Sequence, residues 1–216
     1  QGKQKNTVAK VDAFIKSILS AAKYKQFKEE KEMDTSYSTP TGIRLRINSH
    51  YERGNSSLAA RIIPDKVPSL EDIGIEDLEY LCDEKEGLIL FTGPTGAGKS
   101  TSLAAMIQHI ATHKGGHIVT LEDPVEFVFK SEKGLIRQRQ LGRDFLEFPA
   151  ALRGVLRQDP NIIMVGEMRD LETIAAALTL AETGHLVFAT LHTPNAMQTI
   201  DRIVDVFPPR QQQQQR

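Results

Sequence analysis

The sequence predicts an α/β protein, a mostly parallel β-sheet covered by helices, preceded by a small α+β domain. Three observations lead there. From residue 86 onward, short apolar runs alternate with segments of helical spacing, the pattern of parallel strands joined by crossover helices. The first apolar run enters a glycine-rich loop that opens directly into the first of those helices. Before residue 64 the pattern is different: helical spacing first, then period-two alternation, closed by Pro64-Asp65-Lys66-Val67-Pro68, which reads as a linker. The predicted boundaries are therefore 1–63 for the α+β domain, 64–85 for a linker and leading helix, and 86–216 for the α/β domain.

Residues 7–33 read as helical, with Val8, Val11, Phe14, Ile15, Ile18 and Leu19 at helical spacing ahead of a polar run from Lys23 to Lys31. Ile43, Leu45 and Ile47 alternate with Arg44, Arg46 and Asn48, a half-buried strand. A polar turn at Arg53-Gly54-Asn55 leads to a second strand, Leu58 to Ile63, carrying Arg61. Ile75 to Cys82 reads as a short helix. Leu88–Thr92 reads as a buried strand, Ser102–His113 as a helix (Leu103, Met106, Ile107, Ile110), and His117–Leu121 as the next strand. Phe127–Gln140 is irregular with strand-like pieces. Then come a helix from Phe148 to about Arg157, strand Ile162–Val165, helix Leu171–Glu182, strand Leu186–Leu191 and helix Ala196–Val206. The first residue is Gln and the chain stops after Pro208-Pro209-Arg210 and a glutamine run. Both ends are expected to be cut, with the glutamines either opening a further helix or forming a low-complexity coil.

Composition narrows the class. The chain has 216 residues, 40% hydrophobic and 25% charged, with a formal net charge of −1, ordinary for a globular protein. No global positive field points to nucleic acid or an anionic membrane. A single cysteine, Cys82, forms no internal disulfide and no zinc cluster, which suits a reducing cytosol. No apolar run approaches the ~20 residues needed to cross a bilayer, so a membrane role is expected only through a partner.

The loop Gly93-Pro94-Thr95-Gly96-Ala97-Gly98-Lys99-Ser100-Thr101 fits G-x-x-x-x-G-K-S between a strand and a helix. Its glycines let backbone N–H groups fold around an anion, and the helix N-terminus adds positive potential. Lys99 is expected to reach the β- and γ-phosphates of ATP and the Ser100 hydroxyl to hold Mg²⁺. The alternative is a glycine turn before an ordinary helix.

In open parallel sheets, ligands gather at the carboxyl ends of the strands. There the sequence places Glu122, Asp123 and Glu126; then Gly166 and Glu167, with Arg169 behind; then His192. Glu167 is expected to hold the Mg²⁺ shell or polarise the attacking water, the alternative being a helix-capping acid. The carboxylates around Pro124 either serve metal and water or point elsewhere. His192 can donate a hydrogen bond to a terminal phosphate, whereas the residues leave His185 open. Arg44, Arg46, Arg53 and Arg61 are either arginine-finger candidates, in cis or from a neighbouring subunit, or a solvated strand face.

The phosphate loop, Thr120-Leu-Glu-Asp-Pro-Val-Glu-Phe127, Asp159-Pro-Asn-Ile-Ile-Met-Val-Gly-Glu-Met-Arg-Asp-Leu-Glu172 and Thr183-Gly-His-Leu-Val-Phe-Ala-Thr-Leu-His-Thr193 together resemble the secretion ATPases of type II secretion and type IV pili. They are similar to that family's Walker A, aspartate box, Walker B and histidine box, in order, over roughly residues 30–210. Glu-Met-Arg-Asp, Arg137-Gln-Arg139 and Ile200–Pro208 are closer to the pilus-retraction branch. The resemblance implies a homohexameric ring of PAS-like and RecA-like domains, both truncated here, with ATP bound between them. It implies a cytoplasmic ATPase, peripheral at the inner membrane, that works on a pilus platform protein without membrane insertion or nucleic acid. It makes Glu126 the favoured water-activating carboxylate with Glu122 the fallback, and Glu167 the Walker B acid. It makes His185 and His192 the box histidines, and gives Arg46 and Arg61 to the nucleotide. The competing expectations are pilus extension or type II secretion, a nucleic-acid translocase on the same core, and a P-loop kinase with a small acceptor.

Overall fold

A computed structural model describes residues 7–64, 66–205 and 207. The expected linker residue Asp65, the helix end at Val206, the Pro208-Pro209 pair and the glutamine run lie outside the described residues. The chain divides into two compact units, Gln1–Asp65 and Lys66–Arg216.

The first unit opens with α1 (Val8–Ile18) and α2 (Ala21–Glu30), where the sequence predicts one continuous helical stretch. The break falls at Ser20, an N-cap whose hydroxyl accepts from the Lys23 N–H at 3.3 Å. A strand absent from the sequence reading, β1 (Glu32–Ser38), follows Lys31, the left-handed cap of α2. It pairs antiparallel with β2 (Arg44–Glu52), which pairs antiparallel with β3 (Asn55–Ile63), giving a three-stranded sheet. Ile15 and Phe27 of the helices, and Leu19 between them, are buried against Met33, Tyr51 and Leu58 of the strands.

One polar cluster ties this unit together. The Asp12 carboxylate accepts from Lys28 Nζ, Ser56 Oγ and Tyr24 Oη, each at 2.7 Å. The Lys28 bond first, then Ser56 and Tyr24, hold the Asp12 carboxyl down at about 2 against an ordinary 3.8. A depressed folded-state value stabilises the unit above pH 4 and is lost as pH falls through 2. The Asp12 and Lys28 side chains are 31% and 38% exposed, so solvent screening reduces the contribution to about 1 kcal/mol. Asp12→Asn is expected to cost about that much at pH 7 and to flatten the stability loss between pH 4 and 2. Urea denaturation across that range checks it; an unchanged acid slope in the variant would assign the loss to other groups.

In the second unit, five parallel strands stand in the order β4-β8-β7-β5-β6: β4 (Gly87–Thr92), β5 (Gly116–Glu122), β6 (Gly134–Gln140), β7 (Ile162–Val165) and β8 (Leu186–Leu191). Alternate residues of the inner strands feed two cores. Ile118, Met164 and Phe188 pack against Leu103, Met106 and Ile107 of α3 (Lys99–His113). Val119, Ile163 and Val187 pack against Leu152 of α4 (Phe148–Val155) and Ile174 and Ala177 of α5 (Leu171–Glu182). Burial on both faces is why these strands read as continuous apolar runs. At the sheet edge, β4 is half-buried rather than buried as expected. The sequence reading leaves β6 irregular; the structure makes it a strand paired with β5. The 3-10 segment Glu76–Asp83 replaces the expected helix, and its Cys82, with Leu70, lies in the core of this unit. The last described element is α6 (Ala196–Asp205).

Candidate nucleotide-binding site

The loop after β4 turns on left-handed glycines, Gly96 at φ 84° and Gly98 at φ 87°, conformations that a side chain would strain. Gly98 is the N-cap of α3, so the helix begins at Lys99, three residues before the expected Ser102. Lys99, Ser100 and Thr101 thereby occupy the first turn, where unpaired N–H groups and the helix dipole favour an anion. Lys99 is only 9% exposed. Its ammonium donates to the carbonyls of Gly93 at 2.8 Å and Pro94 at 2.9 Å, and lies 3.4 Å from His192 Nδ1.

His192 stands at the end of β8, between the loop strand β4 and the acid-bearing strand β7. Its Nε2 is 3.3 Å from Glu167 Oε1. When Nδ1 accepts from the Lys99 ammonium, the ring proton sits on Nε2, facing that carboxylate. The other oxygen of Glu167 pairs with Arg169 at 2.8 Å, and Arg169 also approaches Asp123 at 3.6 Å. Lysine, imidazole, carboxylate and guanidinium thus form one chain across three strand tips. The tip of β7 is stitched to β8 by Thr190 Oγ1 donating to Gly166 O at 2.6 Å and Met168 N to Thr190 O at 3.0 Å. A Cβ at Gly166 would stand 3.3 Å from both Glu122 Cα and Leu121 O, which explains why that position, next to Glu167, carries no side chain.

Glu122 ends β5 and is 3% exposed. Its Oε1 accepts from Thr120 Oγ1 at 2.7 Å and Gln138 Nε2 at 3.0 Å. Burial pushes its carboxyl up to about 7, against the pull of Gln138, Thr120 and the Glu126 N–H. The segment beyond it alternates: Val125, Phe127 and Phe129 are buried, while Glu126 and Val128 face outward.

The structure thus brings together Lys99, His192 and Glu167, with Glu122 on the strand next to Glu167. It does not bring His185 to them: that residue precedes β8, and its Nδ1 meets Leu180 O at 3.1 Å. At about 3.3 Å per residue it is roughly 20 Å from His192 along the strand. In the first unit, Arg46 and Arg61 are directly opposite across β2 and β3, and Arg46 lies 3.6 Å from Asp34. Thr120 and Gln138 are participants that the sequence reading missed; the only signal was their parity with strand residues facing the site. For a metal, the Ser100 hydroxyl and the Glu167 and Asp123 carboxylates are hard oxygen donors of the kind Mg²⁺ takes. Among the described residues no group of three or more His, Cys, Asp or Glu forms a metal cage.

Residues 44–212 match the family described as Type II/IV secretion system protein. The type IV pilus retraction ATPase PilT of Pseudomonas aeruginosa is 51% identical over 199 residues, 92% of this chain and 58% of that protein. A twitching motility protein of Neisseria gonorrhoeae is 47% identical over 199 residues, 92% of this chain and 53% of the relative. Among solved structures, the pilus retraction motor PilT with bound ADP superimposes with a TM-score of 0.91 at 47% identity, covering 94% of this chain and 60% of the other. The chain spans between half and two thirds of the length of these relatives.

Proposed function

The chain belongs to the Type II/IV secretion system protein family, and from that premise we propose that it is the nucleotide-binding part of a Mg·ATP-hydrolysing hexameric motor that powers type IV pilus retraction. The observation that carries this reading is the continuous polar path from the phosphate loop through Lys99 and His192 to Glu167. Such a path lets the strand tips respond to the terminal phosphate. Lys99 neutralises phosphate charge, while Glu126 positions and deprotonates water. His192 reports the state of the phosphate to Glu167, which Arg169 holds in place. Mg²⁺, held by Ser100 and Glu167, would supply charge neutralisation at the phosphates. Arg46 and Arg61, brought side by side by strand register, supply cation density from the PAS-like domain. In this reading the motor works at the cytoplasmic face of the inner membrane on a platform protein. Among the described residues no helix is long and apolar enough to cross a membrane.

The test is ATPase activity against protein concentration, with oligomeric state measured in ATP. Sites that need two subunits make specific activity rise with concentration as rings form. Constant specific activity in a monomer, or binding without turnover in an assembled ring, would remove the motor reading.

A further inference from the structure

On β6, two glutamines share one face, Gln138 and Gln140, and both reach back to the segment that leaves β5. Gln138 uses its whole amide there. Nε2 donates to Glu122 Oε1 at 3.0 Å and to Phe127 O at 2.9 Å, and Oε1 accepts from Phe129 N at 2.9 Å. Gln140 Oε1 accepts from Val125 N at 3.3 Å. These bonds grip the chain on both sides of Glu126, one residue before it and one after. Between them, burial of Val125, Phe127 and Phe129 turns Glu126 outward. We propose that Gln138 is a positioning residue for hydrolysis, its amide fixing the segment Asp123–Phe129 so that Glu126 is set for the attacking water.

The inference rests on the reading of Glu126 as the water-activating carboxylate. It adds that the carboxylate is held from a neighbouring strand rather than by its own irregular connection. An outward side chain on an irregular segment has little to fix it beyond its backbone, and loss of about 1 Å in such placement costs on the order of 10²-fold in rate. The Gln138 amide suits the task because a planar group with two donors and an acceptor can satisfy a carboxylate, a carbonyl and an N–H at once. Its contact with Glu122 also lowers the tendency of that buried acid to take up a proton.

The experiment compares Gln138→Met, Gln138→Glu and Glu126→Gln in the full-length protein. It reads steady-state kcat and KM for Mg·ATP, affinity for a fluorescent ATP analogue, and thermal unfolding. Gln138→Met, which keeps length and volume, is expected to lower kcat at least tenfold with KM and analogue affinity within about twofold. In the double variant with Glu126→Gln, it is expected to add less than threefold further loss, since both act on one step. If Gln138→Met does not fold, Gln138→Glu carries the same expectation at pH 8, where a carboxylate cannot donate to Glu122. Unchanged kcat, an equal fall in affinity and kcat, or full additivity in the double variant overturns the proposal while leaving Glu126 in its role. A fully active Glu126→Gln overturns the reading beneath both.

Discussion

Lys99→Ala is expected to lower ATP hydrolysis by at least about 10²-fold, the scale of removing one preorganised charge-stabilising group from a site. Among the described residues Lys99 is the one buried cation. Its ammonium stands over the phosphate loop with two loop carbonyls and the His192 ring around it. Phosphate oxygens are stronger acceptors than carbonyls for an ammonium, so bound triphosphate is expected to draw Lys99 off the loop and free His192 Nδ1. The substitution should therefore do two things: weaken analogue binding and cut turnover by a larger factor than binding. Phosphate release under saturating ATP, alongside fluorescence titration, separates them. Turnover within tenfold of the parent at saturation would mean that Lys99 only anchors the loop. Lys99→Arg is not expected to rescue, because a planar guanidinium cannot occupy the compact space between the Gly93 and Pro94 carbonyls.

What could be read from the sequence follows from where burial is symmetrical. The strands β5, β7 and β8 are covered on both faces, so their apolar runs were visible, and with them the residues that must follow: Glu122, Glu167 and His192. The strand β6 is an edge strand whose residues after Gly134 are half-buried or exposed, and it carries Arg137 and Arg139, a pattern that did not separate it from loop. The strand β1 was hidden for a different reason: its Met33, Thr35 and Tyr37 alternate, but a polar helix runs straight into it with only Lys31 between. The helix break at Ser20 was signalled by a capping residue that the apolar spacing on either side outweighed. Within the site, identities at strand tips were legible because the fold class dictates the rim. Side-chain direction was not. That Glu122 turns inward to Thr120 and Gln138 while Glu126 turns outward depends on how residues 123–129 fold over β6, a tertiary outcome with no local signature. Likewise the Arg169 link between Glu167 and Asp123 requires β5 and β7 to be neighbours.

That division between two nearby acids sets the second large effect. A general base must reach the water it activates. Glu122 is 3% exposed, accepts from Thr120 and Gln138, and is pushed up to about 7; its position suits holding the segment rather than meeting solvent. Glu126, four residues further on and exposed, is free to meet it. Glu126→Gln is thus expected to lower kcat by about 10²–10⁴-fold, the range for loss of a positioned base, with analogue affinity retained, because the amide keeps the size and removes only proton acceptance. Glu122→Gln is expected to cost less in kcat and more in thermal stability: Thr120 and Gln138 both donate to Oε1, so keeping the amide oxygen there leaves an NH2 group that cannot accept from the Glu126 N–H. The two variants measured side by side, for kcat, analogue affinity and unfolding temperature, decide the assignment. If Glu122→Gln loses the larger factor in kcat with its fold intact, the roles are exchanged: the buried acid becomes the base, its raised affinity for protons being the tuned value that such chemistry uses, and Glu126 becomes a solvent-facing charge beside it.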